Sequence, residues 1–202
     1  MEAISNLKKQ IERYAPFNEQ EEKDKTEILR YLCESKDVLT RENKNAHMTV
    51  SAWITDQDRK MVLMAYHNIY DSWAWLGGHA DGNADLKEVI VKEIREESGL
   101  KDARFICDDI FSLEILPVFG HEKRGVYVSS HLHLNVTYLL EADIDSPIRI
   151  KEDENSRIGW IREDEISKKS TEQWFIDRIY SKLCVKAKDL YMKKIYSKAD
   201  AT

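Results

Sequence analysis

Three glutamates, Glu93, Glu96 and Glu97, crowd one short segment of the chain, and a glycine-rich loop precedes them. They lie in the stretch Gly77 to Leu100, GGHADGNADLKEVIVKEIREESGL. Carboxylates this close repel one another and lose hydration, so they need cations nearby or must in part protonate. A hard divalent ion, Mg2+ or Mn2+, removes the conflict, because it prefers oxygen ligands and keeps several waters for a phosphate substrate. The competing reading is a solvated helix end with ordinary charges. The glycine loop before the acids and the glycine stop after them weigh against it.

The element that must position these acids is a helix. Asp85 is a good N-cap, Glu88 stands where it can complete a capping box, and Gly99 supplies the left-handed residue that ends the helix. Leu86, Val89, Ile90 and Ile94 recur at helical spacing and form an apolar face. At about 100° per residue, Glu93 and Glu97 fall on that side, Glu96 beside them, and Glu88 and Arg95 point to water.

On these residues the sequence resembles the Nudix family, whose signature is G-x5-E-x7-R-E-U-x-E-E-x-G-U with U aliphatic. Gly78, Glu93, Ile94, Glu96, Glu97, Gly99 and Leu100 match it at the fixed spacing. Ala84 stands where the family has its first glutamate, with Asp85 one residue later, and Lys92 stands where it has arginine. Lysine keeps the charge but loses the planar, bidentate fork. The resemblance implies an α/β protein, a Nudix-like α/β/α sandwich with a mixed β-sheet. Here that core carries N- and C-terminal helical extensions. It implies hydrolysis of the diphosphate bond of a nucleoside diphosphate linked to another group, with an ADP-sugar the first expectation and a nucleoside triphosphate the second. It also implies Glu93, Glu96 and Glu97 as metal-holding and catalytic residues, with the main-chain carbonyl of Gly78 as a further ligand. Two rivals stand beside this one. A diphosphate isomerase of the same fold needs a cysteine ahead of the helix, and Cys33 is too far upstream. A non-catalytic nucleotide-sensing module would fit the departures at Ala84 and Lys92.

The flanking chain supplies the remaining elements and candidates. Residues 1 to about 36 read as two helices broken near Pro16. His47 to Thr55 and Met61 to His67 read as strands joined by the turn Asp56 to Arg59, and Trp73 to Leu76 delivers the chain to Gly77. Arg104 to Leu116 reads as one long strand or a pair. Pro117 to Tyr127 is a basic loop containing Lys123 and Arg124, and function often sits on such loops. Val128 to Leu140 is a strand whose one face carries His131, His133, Asn135 and Thr137. Two histidines so spaced can bind metal; within the resemblance they are polar groups near the substrate, and a hydrated strand face is the bland alternative. His47 and His67 read as structural or surface residues. Glu152, Asp153 and Glu154 form an acidic run ahead of the Gly159–Trp160–Ile161 strand; the resemblance implies an extra ligand or a general base there, and a solvated charge run is the plain reading for any one of them. His131, His133, Arg124 and Glu154 are thus the substrate-binding candidates. Thr171 to about Ser197 reads as one long helix.

Composition bounds the rest. With 42% apolar and 34% charged residues, the 202-residue chain can bury a core and carry a solvated surface. We expect a single Nudix-like domain over 1–202, with a helical extension at 1–40, the core at 45–168 and a C-terminal helix at 171–198. A net charge of −6 argues against holding long nucleic acid by its backbone. No run approaches a membrane helix and the N-terminus lacks a secretory signal. Cys33, Cys107 and Cys184 are an odd count with no paired spacing, which fits a reducing cytoplasm, no zinc site, and packing roles for all three. The expected partner is a small nucleotide diphosphate, and a homodimer is compatible with the helical extensions.

Overall fold

The computed structural model describes residues 2–69, 71–123, 125–151 and 155–199. The chain divides into two compact units. The first comprises Met1–Ala52, Gly77–Glu93 and Cys107–Tyr138, and the second Trp53–Leu76, Ile94–Ile106 and Leu139–Thr202.

In the first unit, the expected helices are α1 (Glu2–Arg13) and α2 (Glu19–Glu34), with Pro16 in the break. The Asn18 side chain caps α2, accepting from the Glu21 N–H at 3.0 Å. Leu7 and Ile11 of α1 and Ile28 and Leu32 of α2 are buried. Glu21 is fully buried as well, and its carboxylate accepts from the Phe17 N–H at 2.7 Å, from Ser112 Oγ at 2.6 Å and from the Tyr14 hydroxyl. Charge-assisted bonds of this kind offset the desolvation of a buried carboxylate. They fasten the N-terminal helices to β6 (Ser112–Val118), where Asp24 also accepts from the Ile115 N–H. The N-terminal segment is therefore packed structure. β6 pairs antiparallel with β9 (His131–Glu141), from Ser112 opposite Thr137 to Val118 opposite His131. Part of the basic loop is itself a hairpin, β7 (His121–Lys123) with β8 (Val126–Val128). β1 (Ala46–Thr55) is buried along its whole length, and β4 (Leu76–His79) pairs with it.

In the second unit, β2 (Met61–His67) is flanked by β3 (Ser72–Ala74) and by β10 (Asn155–Arg162), both antiparallel. β5 (Arg104–Phe105) pairs with the end of β9, so Arg104 to Leu116 contains two separate strands. The C-terminal helix is interrupted: α5 (Gln173–Phe175) leads into a π-turn, Ile176–Tyr180, before α6 (Ser181–Ala199), and a short α4 (Ile166–Lys169) precedes them. The wider turn places Ile176, Ile179, Tyr180 and Leu183 all inward, and the Tyr180 ring stacks on Trp53 at 5.7 Å. Arg59, with φ 62° and 4% exposed, pairs with Glu141 at 2.8 Å, and Arg104 holds the other carboxylate oxygen at 2.7 Å.

The hydrogen-bonded strand order is β10-β2-β1-β9-β5, with β3, β4 and β6 branching from it. The Leu132 N–H donates to the Asn45 carbonyl and the Ala142 N–H to the Thr55 carbonyl. Both partners advance together, so β9 runs parallel to β1 while its other partners are antiparallel. The sheet is mixed, as expected. Cys33 is exposed, which corrects its reading as a packing residue, while Cys107 and Cys184 are half-buried. Among the described residues no helix is long and apolar enough to cross a membrane.

Candidate active site

The loop leading to the glutamates is tied down at both ends. The Ala80 N–H donates to the Met48 carbonyl and the Gly82 N–H to that of Leu39. Arg41 grips Asp81 through two bonds, 2.8 and 2.7 Å. Asp81 and Gly82 take positive φ, 45° and 91°, which reverses the chain there. Helix α3 (Leu86–Ser98) then starts on Asp85, whose carboxylate accepts from the Glu88 N–H at 3.2 Å. The return arm of the expected capping box runs through Asn83. Its Nδ2 donates to Glu88 and its Oδ1 accepts from the Asp85 N–H, both at 2.9 Å. Gly99 ends the helix with φ 70°, as expected.

On α3, Leu86, Val89, Ile90 and Ile94 are buried, and Glu88 and Arg95 are exposed. The three glutamates sit at three depths. Glu97 is 7% exposed, Glu93 is half-buried and Glu96 is open to solvent. Gly78 is brought against Glu93. A Cβ built on Gly78 would lie 2.6 Å from Glu93 Cδ and 2.9 Å from its Oε1, so any side chain there would displace the flexible end of that carboxylate. Gly77 makes the stiffer demand, since its Cβ would lie 2.5 Å from the backbone carbonyl of Val50. Oxygen donors on one helix face, with a bare backbone beside the first of them, fit a hard dication. At the positions that depart from the signature, Ala84 is 9% exposed and Lys92 is exposed.

The structure places His131 and His133 together, His131 Nε2 standing 3.1 Å from His133 Nε2. It adds His47 and His79, with His47 ring centroids 5.1 Å from His79, 4.9 Å from His131 and 5.1 Å from His133. Burial, with the neighbouring histidines adding to it, pushes His133 down to about 2, and burial lowers His47 as well, so both rings are neutral. His47 is thus not a surface residue, and sequence reading passed over His79. Its only signal was a histidine directly after the paired glycines of the box. His67 lies apart and accepts from the Ile69 N–H.

The rest of that strand face is not hydrated. Asn135, Thr137 and Glu114 are fully buried. Asn135 Nδ2 donates to Glu114 at 3.1 Å, Thr137 Oγ1 donates to it at 2.8 Å, and Thr49 and Ser51 donate to Asn135 Oδ1 at 3.0 Å. A closed polar network of this kind is rigid and corrects the solvated alternative. Arg124 and Glu154, with Glu152 and Asp153, lie outside the described residues.

The family model for the NUDIX domain matches residues 45–183. Among solved structures, the chain is similar to a C. elegans Ap4A hydrolase in a binary complex. The identity is 15%, covering 72% of this chain and 98% of that one, with a TM-score of 0.52. It is also similar to a MutT NUDIX hydrolase from Burkholderia pseudomallei, with 17% identity, 67% and 98% coverage and a TM-score of 0.46. A NUDIX-family hydrolase from Clostridium perfringens gives 19% identity, 69% and 97% coverage and a TM-score of 0.48. At its identity the first of these shows a shared fold and nothing finer. No curated protein matches the chain.

Proposed function

The chain belongs to the NUDIX family, and from that premise we propose that it is a divalent-metal-dependent hydrolase of the diphosphate bond in nucleoside diphosphate derivatives. The observation that supports this most is the grading of the box carboxylates: Glu97 buried, Glu93 half-buried against Gly78, and Glu96 open to solvent. A solvated helix end would expose all three.

Glu93, Glu96 and Glu97, with the Gly78 carbonyl, are the residues that would hold Mg2+ or Mn2+. Such an ion, when bound, neutralises phosphate oxygens and eases the charge that develops in the transition state. The chain's own residues supply position and charge. Burial strengthens the field of the Glu97 carboxylate, because fewer waters screen it. The anchored loop from Ala80 to Asn83 sets the helix start, and the lack of a side chain at Gly78 keeps the approach to Glu93 open. A carboxylate of this face accepts the proton of the attacking water.

An ADP-sugar is the substrate we place first and a nucleoside triphosphate second. The test is phosphate or nucleotide release, with Mg2+, from ADP-ribose, nucleoside triphosphates and Ap4A, parent beside Glu97→Gln. Turnover in the parent that collapses in the variant supports the assignment. Equal rates in both overturn it. A parent inactive over the whole panel, yet binding nucleotide, turns the reading to a sensing module, for which the departures at Ala84 and Lys92 are the favouring observation.

A further inference from the structure

The four histidines of the first unit come from separate stretches: His47 on β1, His79 ending β4, and His131 and His133 on β9. One potential ligand atom from each of His47, His79 and His133 lies within 4.8 Å of the other two. Packing alone does not account for this. His47 is 4% exposed, and its Nδ1 lies 3.0 Å from the Asn43 carbonyl. A carbonyl only accepts, so Nδ1 carries the proton and Nε2 presents a bare lone pair. That Nε2 is buried and has no hydrogen-bond partner. A buried polar atom left without a partner is destabilising unless something binds it. His131 repeats the pattern: its Nδ1 donates to the Ser129 carbonyl at 2.8 Å, which leaves the Nε2 lone pair facing His133. One ring nitrogen tied to a backbone carbonyl, leaving a lone pair on the other, is the arrangement in which histidine binds a metal.

We propose that His47, His79 and His133 form a binding site for a divalent transition-metal ion of the zinc type, distinct from the box carboxylates. Tetrahedral coordination at Zn–N bonds of about 2.05 Å sets ligand nitrogens about 3.3 Å apart. The His131–His133 pair stands at 3.1 Å already, and the trio needs closure of about 1.5 Å at most, within reach of side-chain torsions. The donor set decides the metal. Neutral imidazole nitrogens favour Zn2+, Co2+, Ni2+ or Cu2+ over Mg2+ and Ca2+, which require oxygen. Three protein ligands leave a fourth position for a water, for His131 or for a substrate oxygen.

The test uses the full chain without a histidine tag, stripped with chelator and titrated with Co2+ by calorimetry and visible spectroscopy. With millimolar Mg2+ present throughout to occupy the box carboxylates, we expect one Co2+ per chain, with the visible bands of a nitrogen-ligated, low-coordinate ion, and displacement by Zn2+. His79→Ala and His133→Ala each weaken the affinity by more than about 100-fold, since loss of a supporting group alone costs 10–100-fold. Glu97→Gln leaves it unchanged. If an alanine variant does not fold by circular dichroism, His79→Gln takes its place with the same expectation. Absence of binding at micromolar Co2+ overturns the site. So does binding that survives the histidine changes and is lost in Glu97→Gln. Because no step of the assay involves hydrolysis, a parent inactive on every diphosphate but binding Co2+ through these histidines sinks the hydrolase reading and leaves this one standing.

Discussion

The box helix collects its acids from positions 93 to 97 of a single element, whereas the histidine cluster draws one side chain from β1, one from β4 and two from β9. The first group is graded from solvent to core along one face. The second converges on a buried nitrogen without a partner. Oxygen donors in one place and nitrogen donors in the other differ in the metals they favour, hard cations for the first and transition metals for the second. His79 follows Gly78 directly, which makes the two groups neighbours in sequence as well.

The largest effect belongs to the acids. Glu97→Gln keeps size and removes charge, and turnover should fall by about a thousandfold while the melting curve stays intact. Steady-state kinetics beside a thermal melt checks this. A small loss would mean that the buried carboxylate is structural, like the histidines' polar surroundings, and the contrast would fail.

A third charged cluster supplies the control, being buried yet distant in kind from either metal chemistry. Arg59→Met removes one of the two cations on Glu141 and should cost about 3 kcal/mol of stability in urea melts with no direct effect on metal binding. Burial would raise the Glu141 carboxyl, but the hydrogen bonds from Arg104 and Arg59 outweigh it and hold the group below its ordinary value. The unfolded chain therefore binds the proton more tightly. The pair's contribution is full above the unfolded value of about 4.3 and is lost as pH falls through the lower folded value. Urea midpoints taken between about pH 6 and pH 3 should drop more steeply in the parent than in Arg59→Met.

Gly78→Ala is the finer probe of the acid group. Its Cβ would lie 2.6 Å from Glu93 Cδ, so the carboxylate must move. We expect about a tenfold loss in kcat/KM, and Co2+ affinity at the histidines within a factor of about two. A parallel loss at both would show that the two groups are one site. Smallest is Asp85→Ala, which removes the cap on Glu88 and should lower stability by about 1 kcal/mol in a denaturant melt, leaving the metal preferences of both groups unchanged.

Restoring the family pattern tests the two departures separately. Lys92 is exposed, so Lys92→Arg should leave activity equal or higher. Ala84 is 9% exposed, and Ala84→Glu adds a charged side chain to a filled space, with a cost of about 1–3 kcal/mol.

The sequence by itself determined α3 and what it carries. Cap, apolar stripe, acids and glycine stop all act within a few residues, and helical periodicity turns spacing into a face without help from the rest of the chain. The strands β1, β2 and β9 were legible for the same reason, through their β-branched and aromatic runs. Local chemistry could not say how deep each acid sits, since Glu93, Glu96 and Glu97 differ in burial only because of what packs against α3. Nor could it reveal the π-turn at Ile176–Tyr180, whose last ring stacks on Trp53 far back in the chain. The histidine cluster was decided wholly by tertiary structure. His47 and His131 stand 84 positions apart, and only the parallel pairing of β1 with β9 stacks their rings at 4.9 Å. Pattern along a chain records what a residue's near neighbours are, while a site built across strands depends on register, which is fixed by the sum of all the pairings at once.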